Sequence, residues 1–190
     1  TPYAAPDHGE INLLVFGGSQ GASVFANLIP SALAALPDEL RSRLRITQQV
    51  RPVELAAVSA VYKSAGVQAD LAEFFDDMPW RISQAQLVIC RAGASTVSEL
   101  TAIGRPSILV PYPSAMDDHQ TANAKPLAEA GAAVLAQEAG LTGEALAGHI
   151  RAILEDATKS TAMADAARAL GRPNAASELA DLVERLAEEN

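Results

Sequence analysis

The sequence predicts a doubly wound α/β fold with a parallel sheet, because short apolar runs alternate with segments of helical periodicity along most of the chain. The runs at 11–16, 87–90 and 107–110 are apolar apart from Asn12 and Ser107, as expected of parallel strands that are buried on both faces. Hydrophobic residues make up 49% of the 190 residues and aromatic residues only 4%, which favours alanine-rich helices packed on a sheet. A chain of this length forms one domain of ordinary size.

Each predicted element ends at a residue that favours a turn or a helix terminus. Glycines follow the first strand, and Pro37 stops the helix after it. Pro52 suits the first turn of the next helix, where a missing N–H costs little, and Gly66 ends that helix. The predicted order is strand 11–16, helix 22–36, strand 44–50, helix 52–66, strand 68–74, helix 78–85, strand 87–90, helix 95–103, strand 107–110, helix 121–130 and strand 132–135.

Beyond Thr142 the chain keeps a helical pattern, with breaks near Asp156 and at 171–173. We therefore expect three parts: a linker or leader at 1–10, a Rossmann-like domain at 11–170 and a C-terminal helix at 171–190. One face of that last helix carries the apolar side chains Leu179, Leu182, Val183 and Leu186. This face packs poorly in this chain, pairs with a second copy, or belongs to an ordinary surface helix.

Composition and charge exclude several classes of function. The net charge is −9 and no stretch is rich in lysine or arginine, so we expect no nucleic-acid partner. With Cys90 as its only cysteine the chain forms no internal disulfide, which favours a reducing compartment. No apolar run reaches the roughly 18–20 residues of a membrane span. The chain begins at Thr1 without a signal-like segment, and we expect a domain of a cytoplasmic protein.

Ligands of doubly wound sheets bind beyond the carboxyl ends of the strands, so the loops there hold the candidate site. The first loop, Gly-Gly-Ser-Gln-Gly at 17–21, allows close approach to the backbone and precedes a helix N-terminus that suits an anion. It is neither a dinucleotide fingerprint nor a Walker A loop. The alternative is a tight turn in which Ser19 caps the helix.

The second loop carries the acidic pair Asp76 and Asp77 before Pro79. Adjacent side chains on an extended backbone point to opposite sides, which weakens a shared metal site, and we expect no metal. A helix N-cap is favoured instead. The exposed backbone of this loop is also suited to a flat ring.

The third loop, 91–99, is rich in small and hydroxyl-bearing residues at a predicted helix start. Backbone N–H groups and the hydroxyls of Ser95 and Thr96 suit a phosphate, and Glu99 suits the two hydroxyls of a ribose. The alternative is a capping box in which Glu99 bonds back to Thr96. Arg91 is either a phosphate partner or a solvated charge. Cys90, at a strand end, is expected to be a small buried apolar residue rather than a nucleophile.

The fourth loop, 111–123, is polar and leads into a helix. Its residues Asp117, Asp118, His119 and Gln120 suit sugar hydroxyls, and His119 beside two acids suits a general base. The alternative is a long loop whose acids cap the following helix.

Together these segments resemble the C-terminal domain of the family 28 glycosyltransferases of the MurG type, which have the two-domain GT-B fold. The resemblance spans about 11–133 and rests on four motifs in register. These are Gly-Gly-Ser-Gln-Gly-Ala at 17–22, Phe-Phe-Asp-Asp-Met at 74–78, Cys-Arg-Ala-Gly-Ala-Ser-Thr-Val-Ser-Glu-Leu at 90–100, and Pro-Ser-Ile-Leu-Val-Pro-Tyr-Pro at 106–113 followed by Asp-Asp-His-Gln and Asn-Ala.

The resemblance implies a donor-binding domain for UDP-GlcNAc, without a cofactor, in the inverting enzyme that converts lipid I to lipid II in peptidoglycan synthesis. It implies an enzyme at the inner face of the bacterial plasma membrane, whose N-terminal domain binds lipid I and the membrane surface. This chain alone is then expected to bind the donor without transferring it, and no catalytic residue is assigned. The implied donor contacts are Ser19, Phe75, Arg91, Ala94, Ser95, Thr96, Val97, Ser98, Glu99, His119 and Gln120.

Three other functions remain open from the sequence. The chain could be the donor-binding subunit of a split GlcNAc transferase, which acts only with a membrane-bound partner. It could belong to a related GT-B enzyme such as a UDP-GlcNAc 2-epimerase. A nicotinamide-binding domain is the weakest alternative, because the glycine fingerprint is missing.

Overall fold

The computed structural model describes residues 1–18, 23–175, 180 and 185, and confirms the predicted doubly wound parallel sheet. Six strands form one sheet: β1 (Ile11–Phe16), β2 (Leu44–Gln49), β3 (Gln68–Ala72), β4 (Leu87–Cys90), β5 (Ser107–Leu109) and β6 (Ala133–Leu135). All neighbours are parallel, in the order β3-β2-β1-β4-β5-β6. The order therefore reverses between β1 and β4, the position at which such sheets bind ligands.

The described helices cover both faces of the sheet. They are α1 (Ser23–Ala34), α2 (Asp38–Arg43), α3 (Pro52–Ser64), α4 (Met78–Gln84), α5 (Ala94–Ile103), α6 (His119–Glu129), α7 (Gly143–Leu154) and α8 (Ala157–Leu170), with a 3₁₀ turn at Met116–Asp118. One core cluster joins the sheet to α1, α3 and α7, and a second joins it to α4, α5 and α6. Because both faces are covered, β1 buries Leu13 and Val15 on one side and Leu14 and Phe16 on the other.

Two short elements were not predicted. Pro37 follows the first helix as expected, but Asp38 immediately begins α2, which has only six residues and so shows no periodicity in the sequence. The 3₁₀ turn at Met116–Asp118 lies within the polar loop after β5. The predicted break near Asp156 is confirmed, because the Asp156 side chain caps α8 by accepting from the Lys159 N–H at 2.9 Å.

The leader at 1–10 lies against the domain. The Tyr3 hydroxyl donates to the carbonyl of Gln86 at 2.9 Å, and Arg43 donates to the carbonyls of Pro6 and Gly9. The apolar face predicted at Leu179, Leu182, Val183 and Leu186 lies outside the described residues, so the three-part division of the chain stays a prediction. No helix among the described residues is long and apolar enough to cross a membrane.

Gly104 and Gly131 offer a matched test of packing between α5 and α8. Both have φ of +73°, which strains any other residue, but an added Cβ meets Arg168 Cβ at 3.0 Å at Gly104 and nothing within 4 Å at Gly131. We expect Gly131→Ala to lower the free energy of unfolding by about 1 kcal/mol, and Gly104→Ala to lower it by roughly 1 kcal/mol more through overpacking. Urea denaturation measures both, and equal losses would contradict the crowding at Gly104.

Candidate functional site

Four loops meet at the carboxyl edge of the sheet, where β1, β3, β4 and β5 end. Because neighbouring strands are parallel, these loops share one edge, and the switch point between β1 and β4 lies at its centre. The loop after β1 is described at Gly17 and Gly18, and Gly18 has a φ of +83°. Ser19 lies outside the described residues, so its predicted roles stay predictions.

The turn between β4 and α5 leaves a helix N-terminus uncapped at this edge. Gly93 is the N-cap residue and has no side chain to cap the helix, and no other side chain among the described residues accepts from the first-turn N–H groups. Ala94 and Ser95 are exposed and Thr96 is buried. The first-turn N–H groups therefore face the switch point with the positive end of the helix dipole, an arrangement suited to an anion.

Glu99 does not form the predicted capping box. The helix begins at Ala94, so Thr96 is its third residue and cannot be the N-cap that the box requires. Among the described residues the half-buried Glu99 carboxylate has no hydrogen-bonding partner. It is therefore available to a ligand one turn inside the helix.

Cys90 is the small buried residue that the sequence predicted. Burial raises the pKa of its thiol far above the ordinary value, and the negative charge of Glu99 raises it further. A thiol held in its neutral form is a poor nucleophile.

The predicted contacts at 94–99 lie on different faces of α5. Ala94, Val97 and Ser98 line a groove of about 520 Å³ between α5 and α6. Ser95 and Glu99 are four positions apart and share another side of the helix. Val97 also packs against the core cluster beneath α5 and α6.

Arg91 is not a solvated charge, because it is only 8% exposed. Its Nη1 group donates to the carbonyls of Val110 and Pro111 at 3.1 and 3.0 Å, and pairs with the Glu138 carboxylate at 2.6 Å. The guanidinium also lies near the aromatic rings of Phe25 and Tyr112. Arg91 thus connects the segments that follow β4, β5 and β6.

The loop after β3 turns Phe75 inward and leaves Phe74 66% exposed. The guanidinium of Arg81 lies 4.1 Å from the centre of the Phe75 ring and pairs with Asp77 at 2.6 Å and Asp70 at 2.7 Å. Asp77 occupies the N-cap position of α4, but its side chain makes no capping bond. The predicted side-chain cap is therefore wrong, because the carboxylate pairs with the arginine one turn along the helix.

The acids of the loop after β5 do not cap α6 either. Asp117 and Asp118 both have left-handed backbone angles, with φ of 52° and 51°. Asp118 is the N-cap residue of α6, yet its side chain accepts no bond there, so the predicted capping by these acids is wrong. His119 is exposed, and its Nδ1 lies 2.8 Å from the carbonyl oxygen of Met116. No group of three potential ligands among the described residues is arranged to hold a metal ion.

Gln120 and Asn123 hold the turn before α5 from the side of α6. The Gln120 Oε1 accepts from the N–H groups of Ala92 and Tyr112 at 3.2 and 3.0 Å. Asn123 donates to the carbonyl of Ala92 at 3.0 Å. Both polar groups of the Ala92 backbone are thus bound, and the Nε2 of Gln120 has no hydrogen-bond acceptor among the described residues.

The sequence analysis missed two residues of this edge, Gln49 and Asn123. Gln49 is the last residue of β2 and is 8% exposed. Its side chain accepts from the N–H of Gly17 and donates to the carbonyl of Glu73, each at 3.1 Å. The sequence did contain a signal for Gln49, because two glutamines at the end of an otherwise buried strand are unusual and buried polar groups need partners.

Comparison with known proteins adds to this geometry. The family model described as "Glycosyltransferase family 28 C-terminal domain" matches residues 12–186. A curated relative from Rhodospirillum rubrum is 52% identical over 98% of this chain and 48% of its own length. It is named UDP-N-acetylglucosamine–N-acetylmuramyl-(pentapeptide) pyrophosphoryl-undecaprenol N-acetylglucosamine transferase. The chain therefore spans about half the length of the curated relatives it matches.

Solved structures agree in fold. The crystal structure of Acinetobacter baumannii MurG has a TM-score of 0.85 and 36% identity, over 97% of this chain and 55% of that one. A putative UDP-N-acetylglucosamine 2-epimerase from Listeria monocytogenes has a TM-score of 0.66 at 16% identity, over 97% of this chain and 47% of its own. At 16% identity, the similarity to the putative epimerase shows only that the fold is shared. The predicted half of a GT-B fold is confirmed.

Proposed function

This chain belongs to the glycosyltransferase family 28 C-terminal domains, and from that membership we propose that it is the donor-binding half of a GlcNAc transferase. The donor is UDP-GlcNAc and the acceptor is lipid I, so the whole protein makes lipid II for the bacterial cell wall. The names of relatives about 50% identical to this chain support both substrates. The proposal also places the whole protein in the cytoplasm, peripherally on the inner face of the plasma membrane.

One observation carries this proposal: the N-terminus of α5 lies at the switch point, and neither its first-turn N–H groups nor the Glu99 carboxylate one turn inside it has a side-chain partner among the described residues. An anion-binding group and a diol-binding group at this spacing match a nucleoside diphosphate. The diphosphate would bind the N–H groups of Ala94, Ser95 and Thr96. The ribose hydroxyls would donate to Glu99.

The remaining predicted contacts divide into those that touch the donor and those that shape its site. Backbone groups around Phe75 would bind the uracil ring, and Ser19 would add a hydroxyl beside the phosphates. The free Nε2 of Gln120 and the exposed ring of His119 would contact the hydroxyls of GlcNAc.

In this proposal Arg91 and Val97 act mainly through packing, because protein groups surround them. Ser98 remains available along the groove between α5 and α6.

The proposed reaction inverts the configuration at the anomeric carbon of GlcNAc. The muramyl hydroxyl attacks that carbon from the face opposite to UDP, and the bond from the carbon to the β-phosphate oxygen breaks. UDP leaves with the electron pair, and its growing negative charge is stabilised by the N–H groups of α5. The hydroxyl proton passes to a base, a role assigned to no residue of this chain.

Glu99→Gln is expected to weaken binding of UDP and UDP-GlcNAc about 10- to 30-fold, the effect of losing a charge-assisted hydrogen bond of roughly 1.5–2 kcal/mol. Calorimetric titration of this chain with UDP-GlcNAc, UDP-glucose and UDP measures the affinities. Titration with 2′-deoxy-UDP adds a sharper test. The wild type should prefer UDP over the deoxy compound, and the variant should lose most of that preference.

Glu129→Gln is the matched control, because Glu129 is an exposed carboxylate at the far end of α6. It should leave all affinities unchanged. Failure of the folded wild-type chain to bind any uridine nucleotide at millimolar concentration would contradict the proposed function. Product analysis with the full-length protein, lipid I and UDP-GlcNAc then separates transfer from epimerisation, since only transfer consumes the acceptor.

A further inference from the structure

Gln49 lies between two loops of the candidate site and binds both of them. It ends β2, the strand between β1 and β3, and its amide accepts from Gly17 on one side and donates to Glu73 on the other, each at 3.1 Å. Gly17 begins the glycine-rich loop, and Glu73 begins the loop that carries Phe75. The two loops start from strands that are two positions apart in the sheet, roughly 10 Å by the usual strand spacing.

Only a side chain with particular properties can connect backbones across that distance. It must come from the middle strand, carry a donor and an acceptor at one end, and be long enough to reach both sides. A glutamine meets all three conditions. A methionine has the same length but no strong donor or acceptor, and a glutamate at neutral pH accepts only.

The adjacent glutamine does something different. Gln48 points to the opposite face of the sheet, where its Oε1 accepts from the Tyr62 hydroxyl of α3. Gln48 is fully buried, and its Nε2 has no partner among the described residues. Two glutamines with similar burial on one strand thus differ in whether they contact the loops of the site.

We propose that Gln49 is a positioning residue that fixes the spacing between the loop at Gly17 and the loop at Glu73, and so sets the affinity for the uridine nucleotide without touching it. This inference rests on the proposed function, in which the nucleotide lies between the base-binding loop around Phe75 and the phosphate-binding edge. Loss of either hydrogen bond lets the two loops move independently. The nucleotide must then order them when it binds, which weakens its affinity.

Gln49→Met and Gln48→Met form the matched pair of variants, studied by calorimetric titration with UDP and by thermal unfolding. Gln49→Met is expected to weaken UDP binding about tenfold. Gln48→Met is expected to change the melting temperature while UDP affinity stays within twofold of the wild type. A Gln49→Met variant that melts earlier yet binds UDP as tightly as the wild type would overturn the proposal.

Gln49→Glu keeps an acceptor for the Gly17 N–H and removes the donor to the Glu73 carbonyl, so it tests the second hydrogen bond alone. At pH 8.5 its carboxylate accepts from Gly17 but repels the Glu73 carbonyl, and UDP affinity relative to the wild type is expected to fall about tenfold or more. A Gln49→Glu variant that binds UDP as tightly as the wild type, whatever its melting temperature, would overturn the proposal.

The two proposals fail in different ways. If the wild-type chain does not bind UDP, the proposed function fails before any variant is measured, and the positioning role fails with it. If the wild type binds UDP and Glu99→Gln weakens binding while both Gln49 variants bind normally, only the positioning role is overturned.

Discussion

Arg105→Met is expected to lower the free energy of unfolding by about 3–5 kcal/mol, because several buried carbonyl groups lose their donor at roughly 1–3 kcal/mol each. The Arg105 side chain is 1% exposed and donates to five carbonyls, those of Thr1, Ile82, Ser83, Ile103 and Gly104. Four of these acceptors lie at the C-terminal ends of α4 and α5, where the helix dipoles favour a cation. Urea denaturation measures the loss.

The physical reason for this large effect is that the partners of Arg105 among the described residues are carbonyls and include no carboxylate. Burial lowers the pKa of its guanidinium, and repulsion by Arg168 lowers it further, so the carbonyls offset a real desolvation cost. Arg168 is the matched control, because it is exposed and donates to the same Ile103 carbonyl at 2.9 Å. Arg168→Met should cost under about 1 kcal/mol. Equal losses in the two variants would contradict the role given to Arg105.

Arg105 lies at the edge of the sheet opposite to the candidate site. The helices α4 and α5 begin at the carboxyl edge of the strands and end beside Arg105. The folded fraction of Arg105→Met should therefore bind UDP with nearly normal affinity. Arg105→Met is thus expected to lower the free energy of unfolding while the affinity for UDP stays nearly normal.

The fold could be predicted from the sequence because β1, β4, β5 and β6 are mostly apolar and several helices are followed by a proline or a glycine. The six strands were found at their observed positions to within two residues at either end. The helix α2 was missed because six residues carry too little periodicity to distinguish a helix from a turn. In the sequence, Asp38 directly after a proline resembles the start of an ordinary loop.

The site was predictable only where a motif and a helix start coincide. Glu99 could be placed near a ribose or in a capping box, and the choice depended on which residue begins α5. The capping box requires Thr96 as the N-cap residue, three residues after the observed N-cap Gly93, and helix boundaries are the least certain part of a sequence-based prediction. Capping by Asp77 was predicted, and capping by Asp118 was an alternative, for the same local reason, but neither carboxylate accepts from the backbone N–H groups at the start of its helix.

Contacts that join distant segments could not be predicted from local patterns. The partners of Gln49 are 32 and 24 residues away along the chain, and those of Gln120 include Ala92, which is 28 residues away. Such bonds depend on which strands are neighbours, a property of the topology that no short motif encodes. Gln49 thereby connects the loops after β1 and β3, and Gln120 connects the loops after β4 and β5.

Arg91→Met is expected to lower the free energy of unfolding by about 3 kcal/mol, near the low end for a broken buried ion pair because 27% of the Glu138 side chain is exposed. The carbonyls of Val110 and Pro111 also lose their donor. The double variant Arg91→Met with Glu138→Leu also removes the Glu138 carboxylate that Arg91→Met leaves unpaired. It should recover at least half of the lost stability in urea denaturation.

The double variant also tests whether Arg91 contacts the bound donor or only holds the loops around it. If Arg91 only braces the loops, the double variant should bind UDP within about threefold of the wild type, because the N–H groups of α5 still hold the diphosphate. If Arg91 binds a phosphate directly, UDP affinity should fall by a factor of about thirty, a charge-assisted bond of roughly 2 kcal/mol, while uridine affinity stays unchanged. The 2.6 Å ion pair with Glu138 and the two carbonyl contacts favour the first result, since they already occupy the Nη1 group of Arg91.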